Sequence, residues 1–443
     1  AALSQCSKKQ TTYRARMHIV ASHRRSGCHQ EGQRSVMTLR QRAEAMTPRG
    51  SHTMSKRPSS YPIDGERFAV RGDGAYITAT DGRRYLDFVC SLGATTLGYG
   101  HPVIEQAVIA QVKSGALFSL PHRLEIEVAE HLCDVIPCAK NIRFLKTGSE
   151  ACAAAASIAR SYTGRDVILC EDTGYHGWHD GFRVLAATHP GVPDGFNTFI
   201  RTFAYGDLDS LARMLDSSVA AVMIEPARLS EPPHGFLAAV RDMTHRSGAL
   251  LIFDEMILGG RHALAGGQEF FSVTPDMATF GKAFGAGYPM AFVAGSVDVM
   301  QHAWPISGTY SGDAIGLAAC EAMLRVYDND GTVHTLRRNG RLIWDALLNT
   351  GQVSLHGYYP HFQMRLLHHD QRIGMSYFVQ ECAVNGVLFH PQIVNMSGVM
   401  ETHDVKRAAD VAANVLDRMT HLDDQQLSKA LRSAPYEDAV RRW

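Results

Sequence analysis

The stretch NIRFLKTGSEACAAAASIARSYTGRDVILCE, residues 141–171, contains a strand–helix–strand pattern. An apolar run ends at a Gly-Ser turn, an alanine-rich segment with helical character follows, and a second apolar run, DVILCE, comes after it. Strands that are joined through a helix belong to α/β sheets, in which neighbouring strands are mostly parallel. This stretch therefore predicts an α/β fold.

The same alternation continues to about residue 300. Four further apolar runs predict strands without polar alternation, which is typical of a mostly parallel sheet that helices cover on both faces. The runs are AAVMIEP (220–226), ALLIFDE (249–255), MATFGK (277–282) and MAFVAG (290–295), with a helix at 235–248. Outside this region we expect a hairpin at 74–89, helices at 101–112 and 315–328, strands near 353–367 and a closing helix at 404–419.

Composition is that of a globular enzyme. The 443 residues are 45% hydrophobic and 20% charged, which fits two or three domains. No run of about 18 apolar residues occurs, so we expect no membrane span. Nine cysteines are scattered without a CxxC pair, which favours reduced thiols in a cytoplasmic protein.

The first fifty residues differ from the rest. They carry ten Lys and Arg against two acidic residues, and the remainder carries 34 against 42. The mildly acidic body argues against nucleic-acid binding. TPRGSHTM (47–54) resembles the scar of a protease-site tag, so we expect residues 1–54 to be a disordered leader or tag-like segment.

Ligands of an open α/β sheet bind at the carboxyl ends of its strands. The residues that follow the predicted strands are therefore candidates for a site: Gly148, Ser149, Tyr175, His176, Gly177, Glu225, Asp254, Glu255 and Lys282. Gly148 and Ser149 lie at the start of a helix, where free backbone N–H groups can bind a phosphate. The alternative is that Ser149 only caps the helix.

Asp254 and Lys282 are the main candidates for catalytic residues. Asp254 ends a strand without other polar residues, so its carboxylate needs a partner such as a protonated ring nitrogen, an arginine or a helix end. Lys282, between glycines, is either a Schiff-base lysine or an exposed loop residue. Pyridoxal 5'-phosphate requires a turn that binds its phosphate, an acid beside its pyridinium nitrogen and a lysine, and these residues provide all three. Tyr175 is available to stack on its ring. His176 and His179 lack a suitable third ligand, so we expect no metal.

These motifs resemble the class III, fold-type-I aminotransferases that depend on pyridoxal phosphate, and in particular their glutamate-1-semialdehyde aminomutase branch. The resemblance rests on DGRRYLDFVCSLGATTLGYGHP, RFLKTGSEACAAAASIARSYTGRD, GYHGWHDG, VMIEP, TPDMATFGKAFGAGYP and SGTYSGD. It implies a large domain with a mostly parallel seven-stranded sheet and a small α+β domain from both chain ends. The implied divisions are 55–105 (small domain), 106–330 (large, cofactor-binding domain) and 331–443 (small domain).

The resemblance also implies site residues. Lys282 would form the Schiff base, Asp254 would bind the pyridine nitrogen, and Gly148 and Ser149 would hold the phosphate. The remaining implied cofactor contacts are Tyr175, His176, Glu225, Met256 (where the family usually has valine) and Thr309, which would reach the phosphate across a homodimer interface.

The substrate residues are less determined. Leu92, beside Ser91, stands where the family commonly has tryptophan, so the resemblance implies a different substrate pocket. Arg228 is a candidate for gripping a carboxylate, and Asn395 aligns with a glutamate of the aminomutase branch. Asp313-Ala314 replaces a common Asn-Pro pair.

The implied activity is an aminotransferase that acts on a small amine or amino acid and a carbonyl substrate, with pyridoxamine phosphate as the cofactor's intermediate form. An intramolecular aminomutase, and a decarboxylase or racemase on the same fold, remain alternatives. We expect no nucleic-acid or membrane partner.

Overall fold

A computed structural model describes residues 37–63, 68–185, 191–227 and 230–437. The N-terminal part contains α1 (Leu39–Met46), β1 (Ala69–Asp73), β2 (Tyr76–Ala79) and β3 (Arg84–Asp87). The central part contains α2 (Pro102–Ser114), α3 (Arg123–Val135), β4 (Asn141–Leu145), α4 (Gly148–Thr163), β5 (Val167–Glu171), α5 (Asp180–Arg183), β6 (Ile200–Phe203), α6 (Leu208–Met214), β7 (Val219–Ile224), α7 (Phe236–Arg246), β8 (Leu250–Asp254), α8 (Gly267–Phe270), β9 (Met277–Phe280), β10 (Ala291–Gly295), α9 (Val297–Met300) and α10 (Ala314–Asp330).

The C-terminal part contains α11 (Thr332–Leu348), β11 (Val353–Tyr358), β12 (His361–Leu366), α12 (Gln371–Val384), β13 (Val387–Leu388), β14 (Val394–Asn395), α13 (Thr402–Met419) and α14 (Asp424–Ala430). Over the described part of the chain, no helix combines the length and the apolar character that a membrane crossing requires.

The large sheet confirms the predicted α/β fold. Its seven strands lie in the order β4-β10-β9-β8-β7-β5-β6. β10 is antiparallel to both of its neighbours, and the other adjacent pairs are parallel. Six of the seven strands were predicted from apolar runs. The seventh, β6 (IRTF), was missed because it is a short edge strand with alternating polar residues.

Local sequence determines the helix that follows β4. Thr147 caps α4 through a capping box with Glu150, and Gly164 ends the helix in the left-handed conformation. The alanines of α4 are buried against the sheet. Small side chains let the helix lie close to the strands, so its N-terminus is held at the carboxyl edge of the sheet.

The small α+β domain joins both chain ends. One sheet has the order β1-β2-β3-β13 and the other β11-β12-β14. A single apolar cluster packs Leu86 and Phe88 of the N-terminal part against Leu336, Phe378 and Val405 of the C-terminal part. The predicted hairpin, the strands near 353–367 and the closing helix are all present, and they build this domain.

The expectation of disorder over residues 1–54 needs correction for residues 37–54, and residues 1–36 lie outside the described residues. Thr38 and Gln41 form a capping box at the start of α1. The segment is anchored far along the chain, because Arg49 forms an ion pair of 2.9 Å with Glu437 and the buried Arg57 donates to the Glu437 carbonyl. These long-range contacts have no signature in local composition.

Candidate active site

A cavity of about 430 Å³ opens at the carboxyl ends of the central strands, beside residues of the small domain. It brings together eleven residues that the sequence predicted. They are Ser91, Leu92, Gly148, Ser149, Tyr175, His176, Gly177, Glu225, Asp254, Met256 and Lys282. Positions that lie up to about two hundred residues apart in sequence thus share one site, as the strand-end rule requires.

Asp254 ends β8 and is almost fully buried. One carboxylate oxygen lies 2.8 Å from Nδ1 of His176, and the other accepts the backbone N–H of Met256 at 3.1 Å and the Thr279 hydroxyl at 3.3 Å. On its other side His176 lies 3.4 Å from Glu171, at the end of β5. An imidazole therefore sits between two buried carboxylates.

The charges of this group stabilise one another. Burial alone would lower the pKa of His176, but the charge of Glu171 and the hydrogen bond to Asp254 raise this pKa well above its usual value. Burial alone would raise the pKa of Asp254, whereas the hydrogen bond and charge of His176 lower it below its ordinary value, and Lys282 adds to that effect. The imidazolium therefore keeps Asp254 ionised.

Sequence reasoning did not select Glu171. It ends an apolar strand as Asp254 does, so the same signal was available. Its second oxygen accepts the backbone N–H of Glu225 at 2.9 Å, and Glu225 in turn accepts the backbone N–H of Tyr175 at 3.0 Å. Glu171 therefore ties the Tyr175–His176 loop to the end of β7.

The N-terminus of α4 forms another wall. Within the first turn, Thr147 accepts the N–H groups of Glu150 and Ala151. The N–H groups of Gly148 and Ser149, which line the cavity, have no intrahelical partner in such a turn. The Ser149 hydroxyl accepts the N–H of Trp178 at 3.2 Å and keeps its own proton for a further acceptor.

Gly177 brings the Tyr175–His176 loop onto this helix end. Its φ is +103°, and a Cβ there would lie 2.6 Å from the Ser149 Cα. Only glycine fits both the conformation and the distance. The loop consequently places Tyr175 and the α4 N-terminus on the same cavity.

Lys282 follows β9 and lines the cavity with a backbone φ of 47°. This left-handed conformation is uncommon for lysine, and it is characteristic of residues that a functional site holds in place. The following residues, Ala283 and Phe284, are fully buried and fix the turn.

The opposite wall comes from outside the sheet. Ser91 and Leu92 lie in a turn, Cys90–Gly93, and the Ser91 hydroxyl accepts a hydrogen bond of 3.1 Å from Lys56. Lys56 and Ser55 also line the cavity. Sequence reasoning missed Lys56, because nothing in its local sequence distinguishes it from a solvent-exposed lysine.

Three predicted residues, Asn395, Thr309 and Glu255, do not line the cavity. Asn395 does not line the cavity, because its amide bonds His361 at 2.8 Å and the Val89 carbonyl at 3.0 Å in the buried base of the small domain. Thr309 is exposed and outside the cavity. Arg228 lies outside the described residues.

Cys152, His176 and Asp254 hold one possible ligand atom each within 4.8 Å of one another. Hydrogen bonds account for these contacts, since the Cys152 thiol lies 3.3 Å from Asp254 and burial raises the pKa of this thiol to about 12. A protonated thiol is a poor metal ligand. The cluster is therefore better described as a hydrogen-bonded support for Asp254.

The lining fits pyridoxal phosphate. A helix N-terminus with a free hydroxyl suits the phosphate, an ionised buried carboxylate suits a protonated ring nitrogen, and a lysine lies on the same cavity. Fold and cavity thus define a pyridoxal-phosphate-dependent transferase of fold type I.

Comparisons with known proteins agree. The sequence model "Aminotransferase class-III" matches residues 60–356. The glutamate-1-semialdehyde 2,1-aminomutase of Methanothermobacter thermautotrophicus is 33% identical over 309 residues, which are 66% of this chain and 73% of that protein. The chain belongs to the class III aminotransferase family, and its cofactor is pyridoxal phosphate.

Solved structures resemble almost the whole chain. The FumI protein of Sphingopyxis sp. MTA144, in its PLP internal aldimine form, has a TM-score of 0.82 and 25% identity, over 90% of this chain and 98% of that one. An omega-transaminase from Sphaerobacter thermophilus has a TM-score of 0.79 and 27% identity, over 86% and 96%.

Proposed function

We propose that this enzyme is an aminotransferase that moves an amino group between a small amine or amino acid and a carbonyl compound. The observation that carries the proposal is one cavity that Lys282, Asp254 and the N-terminus of α4 all line. A family member with these three features retains the groups that bind the cofactor and move its protons.

Binding is assigned to groups at two walls of the cavity. Gly148 and Ser149 would hold the phosphate with their N–H groups and the Ser149 hydroxyl, and Tyr175 would pack against the ring. Asp254 would accept a hydrogen bond from the protonated ring nitrogen, and His176 keeps the Asp254 carboxylate ionised for that contact. When bound, pyridoxal phosphate supplies an electron sink for the negative charge that develops on the substrate carbon.

Lys282 has two tasks. Its Nζ would hold the cofactor in the resting enzyme. As a free amine, the same Nζ would accept the proton of the substrate carbon and give it back, as a general base and then a general acid. Lys282 is half-buried on the cavity wall, and its charge helps to lower the pKa of Asp254, so its ammonium lies near the carboxylate that would face the ring nitrogen.

The proposal includes a homodimer to which Thr309 contributes a phosphate contact from the other subunit. Its support is an exposed segment in which Trp304, Thr309 and Tyr310 all face solvent. Sedimentation of the wild type and of Tyr310→Glu tests it, with a dimer that the substitution weakens as the expected result. A monomeric wild type would contradict it.

An intramolecular aminomutase is the second candidate, because the relative described above carries that name. The two differ in whether the amino group passes to a second molecule or ends on another carbon of the same substrate. An amine panel separates them: with a keto acid added, a transaminase gives the new amino acid, whereas a mutase isomerises its substrate without an acceptor. Release of carbon dioxide would indicate a decarboxylase instead.

A further inference from the structure

A second cavity, of about 550 Å³, adjoins the cavity that Asp254 and Lys282 line, which we call the reaction cavity. It lies between the N-terminal segment and the β1–β3 sheet of the small domain. Apolar and aromatic side chains dominate its wall, among them Tyr61, Ile63, Ile77, Tyr85, Val89 and Leu388. We call it the tail cavity.

Two residues line both cavities. They are Lys56 and Ser91, which a hydrogen bond of 3.1 Å joins. Leu92 makes a further link, because it lines the reaction cavity and packs against the apolar cluster that walls the tail cavity. The boundary between the two cavities therefore consists of the Lys56–Ser91 hydrogen bond and the apolar side chain of Leu92 beside it.

Charged residues also line the tail cavity, and among the described ones, Lys56 at the boundary aside, each has a partner: Arg40 pairs with Glu44 at 2.9 Å and Arg71 with Asp73 at 3.8 Å. Asp87 lies there, but its oxygens accept the Tyr99 hydroxyl at 2.6 Å and the Val89 N–H at 2.8 Å. A buried carboxylate whose oxygens are both engaged does not select an amine. An apolar chain is the ligand that this wall fits.

The boundary turn is held in a strained conformation. Cys90, Ser91 and Leu92 have φ values of 48°, 50° and 62°. Buried Arg261, which donates to the Gly93 carbonyl, anchors the turn to the large domain. Backbone strain of this kind persists where the surrounding structure over-determines the backbone, and here it fixes Ser91 and Leu92 between the two cavities.

We propose that the tail cavity is a substrate subsite, which takes the apolar tail of an amine whose amino group reacts at Lys282. The tail passes the Lys56–Ser91 contact and leaves the ammonium of Lys56 at the boundary. This inference rests on the proposed aminotransferase function, and it names unbranched or aromatic long-tailed amines as the substrate class.

The experiment uses the holoenzyme and unbranched primary amines from ethylamine to decylamine, with pyruvate as acceptor. Each methylene that leaves water for the cavity should raise kcat/KM about two- to fourfold, until the tail fills the cavity. Val70→Trp and Ile77→Trp place a large ring in the tail cavity and should flatten this rise. Leu348→Trp, at an exposed apolar position of α11, is the matched control and should retain it.

A binding measurement separates failure of the subsite from failure of the function. 1-Decanol has the apolar tail but no amine. Calorimetry with the holoenzyme therefore measures binding in the tail cavity even if the enzyme transfers no amino group. Binding that Val70→Trp weakens at least tenfold and Leu348→Trp does not would support the subsite. Absent binding, or a flat chain-length series in the wild type, overturns it. Because Val70 is exposed, its variant tests the subsite even if Ile77→Trp does not fold.

Discussion

The two ends of the reaction cavity are built in different ways. At the cofactor end, Glu171 and Asp254 end two strands of one sheet and are buried and hydrogen-bonded, and the half-buried Lys282 comes shortly after another strand of that sheet. At the substrate end, Ser91 and Lys56 come from a strained turn and an N-terminal segment, and Ser91 is half-buried. A rigid sheet therefore fixes the chemistry, while segments that can change without disturbing the sheet shape the substrate end.

Lys282→Ala is the most severe change. We expect activity to fall by about 10⁴-fold or more, because Lys282 is the proposed carrier of the cofactor and the proposed proton-transfer group. Borohydride treatment followed by peptide mass analysis should find the cofactor on Lys282 in the wild type and on no lysine in the variant.

Lys146→Ala is the control for that experiment. Lys146 is another lysine of the cavity, but its ammonium pairs with Asp313. Trapping on Lys282 should persist in this variant. Cofactor trapped on Lys146 in the Lys282→Ala protein would contradict the assignment.

Asp254→Asn should lower kcat about 10²–10³-fold, because a neutral amide no longer stabilises the positive ring nitrogen. Glu255→Gln is the matched control at the next position. Its buried carboxyl lies outside the cavity, where it accepts the backbone N–H groups of Gly267 and Gln268, so this variant shows what a change from carboxyl to amide costs away from the cofactor. Steady-state rates that fall equally in both variants would argue against a specific role for Asp254.

His176→Gln should move the acid limb of the pH–rate profile. In the wild type His176 lowers the pKa of Asp254, so activity that needs ionised Asp254 survives to low pH and is lost as the pH falls through that lowered value. Without the imidazolium this pKa rises, and the limb should shift upward by about one to three pH units. His179→Gln, in the same loop, should leave the limb unchanged.

The two ends also differ in how far the sequence predicted them. Asp254, Lys282 and Gly148 were recognisable because the carboxyl ends of parallel strands meet at one edge of a sheet. Lys56 and the left-handed turn were not, because neither Cys90 nor Leu92 is typical of a positive φ and the anchor, Arg261, lies on another domain. Tertiary contacts decide such positions, and no local pattern reports them.

Gly93→Ala tests the turn. Its φ is +86°, and an added Cβ would lie 2.6 Å from Nη2 of Arg261. We expect the free energy of unfolding to fall by about 2–4 kcal/mol, since conformational strain and a displaced buried guanidinium add together. Gly164→Ala has a similar φ of +67° with no atom within 4 Å, so it should cost only about 1 kcal/mol in denaturant melts. Equal losses of unfolding free energy in the two variants would show that the Arg261 side chain moves aside at little cost.

Ser91→Ala should have the smallest effect and still distinguish the two ends. It removes the acceptor of the Lys56 hydrogen bond at the boundary of the cavity and touches no group at the carboxyl edge of the sheet. Since such an exposed charged hydrogen bond contributes about 1 kcal/mol, KM for a given amine should change two- to fivefold while kcat and the dissociation constant of the cofactor remain as in the wild type. If the Ser91→Ala variant also bound the cofactor more weakly, the substrate end would depend on the same contacts as the cofactor end. The distinction between a fixed chemical end and an adaptable substrate end would then be wrong.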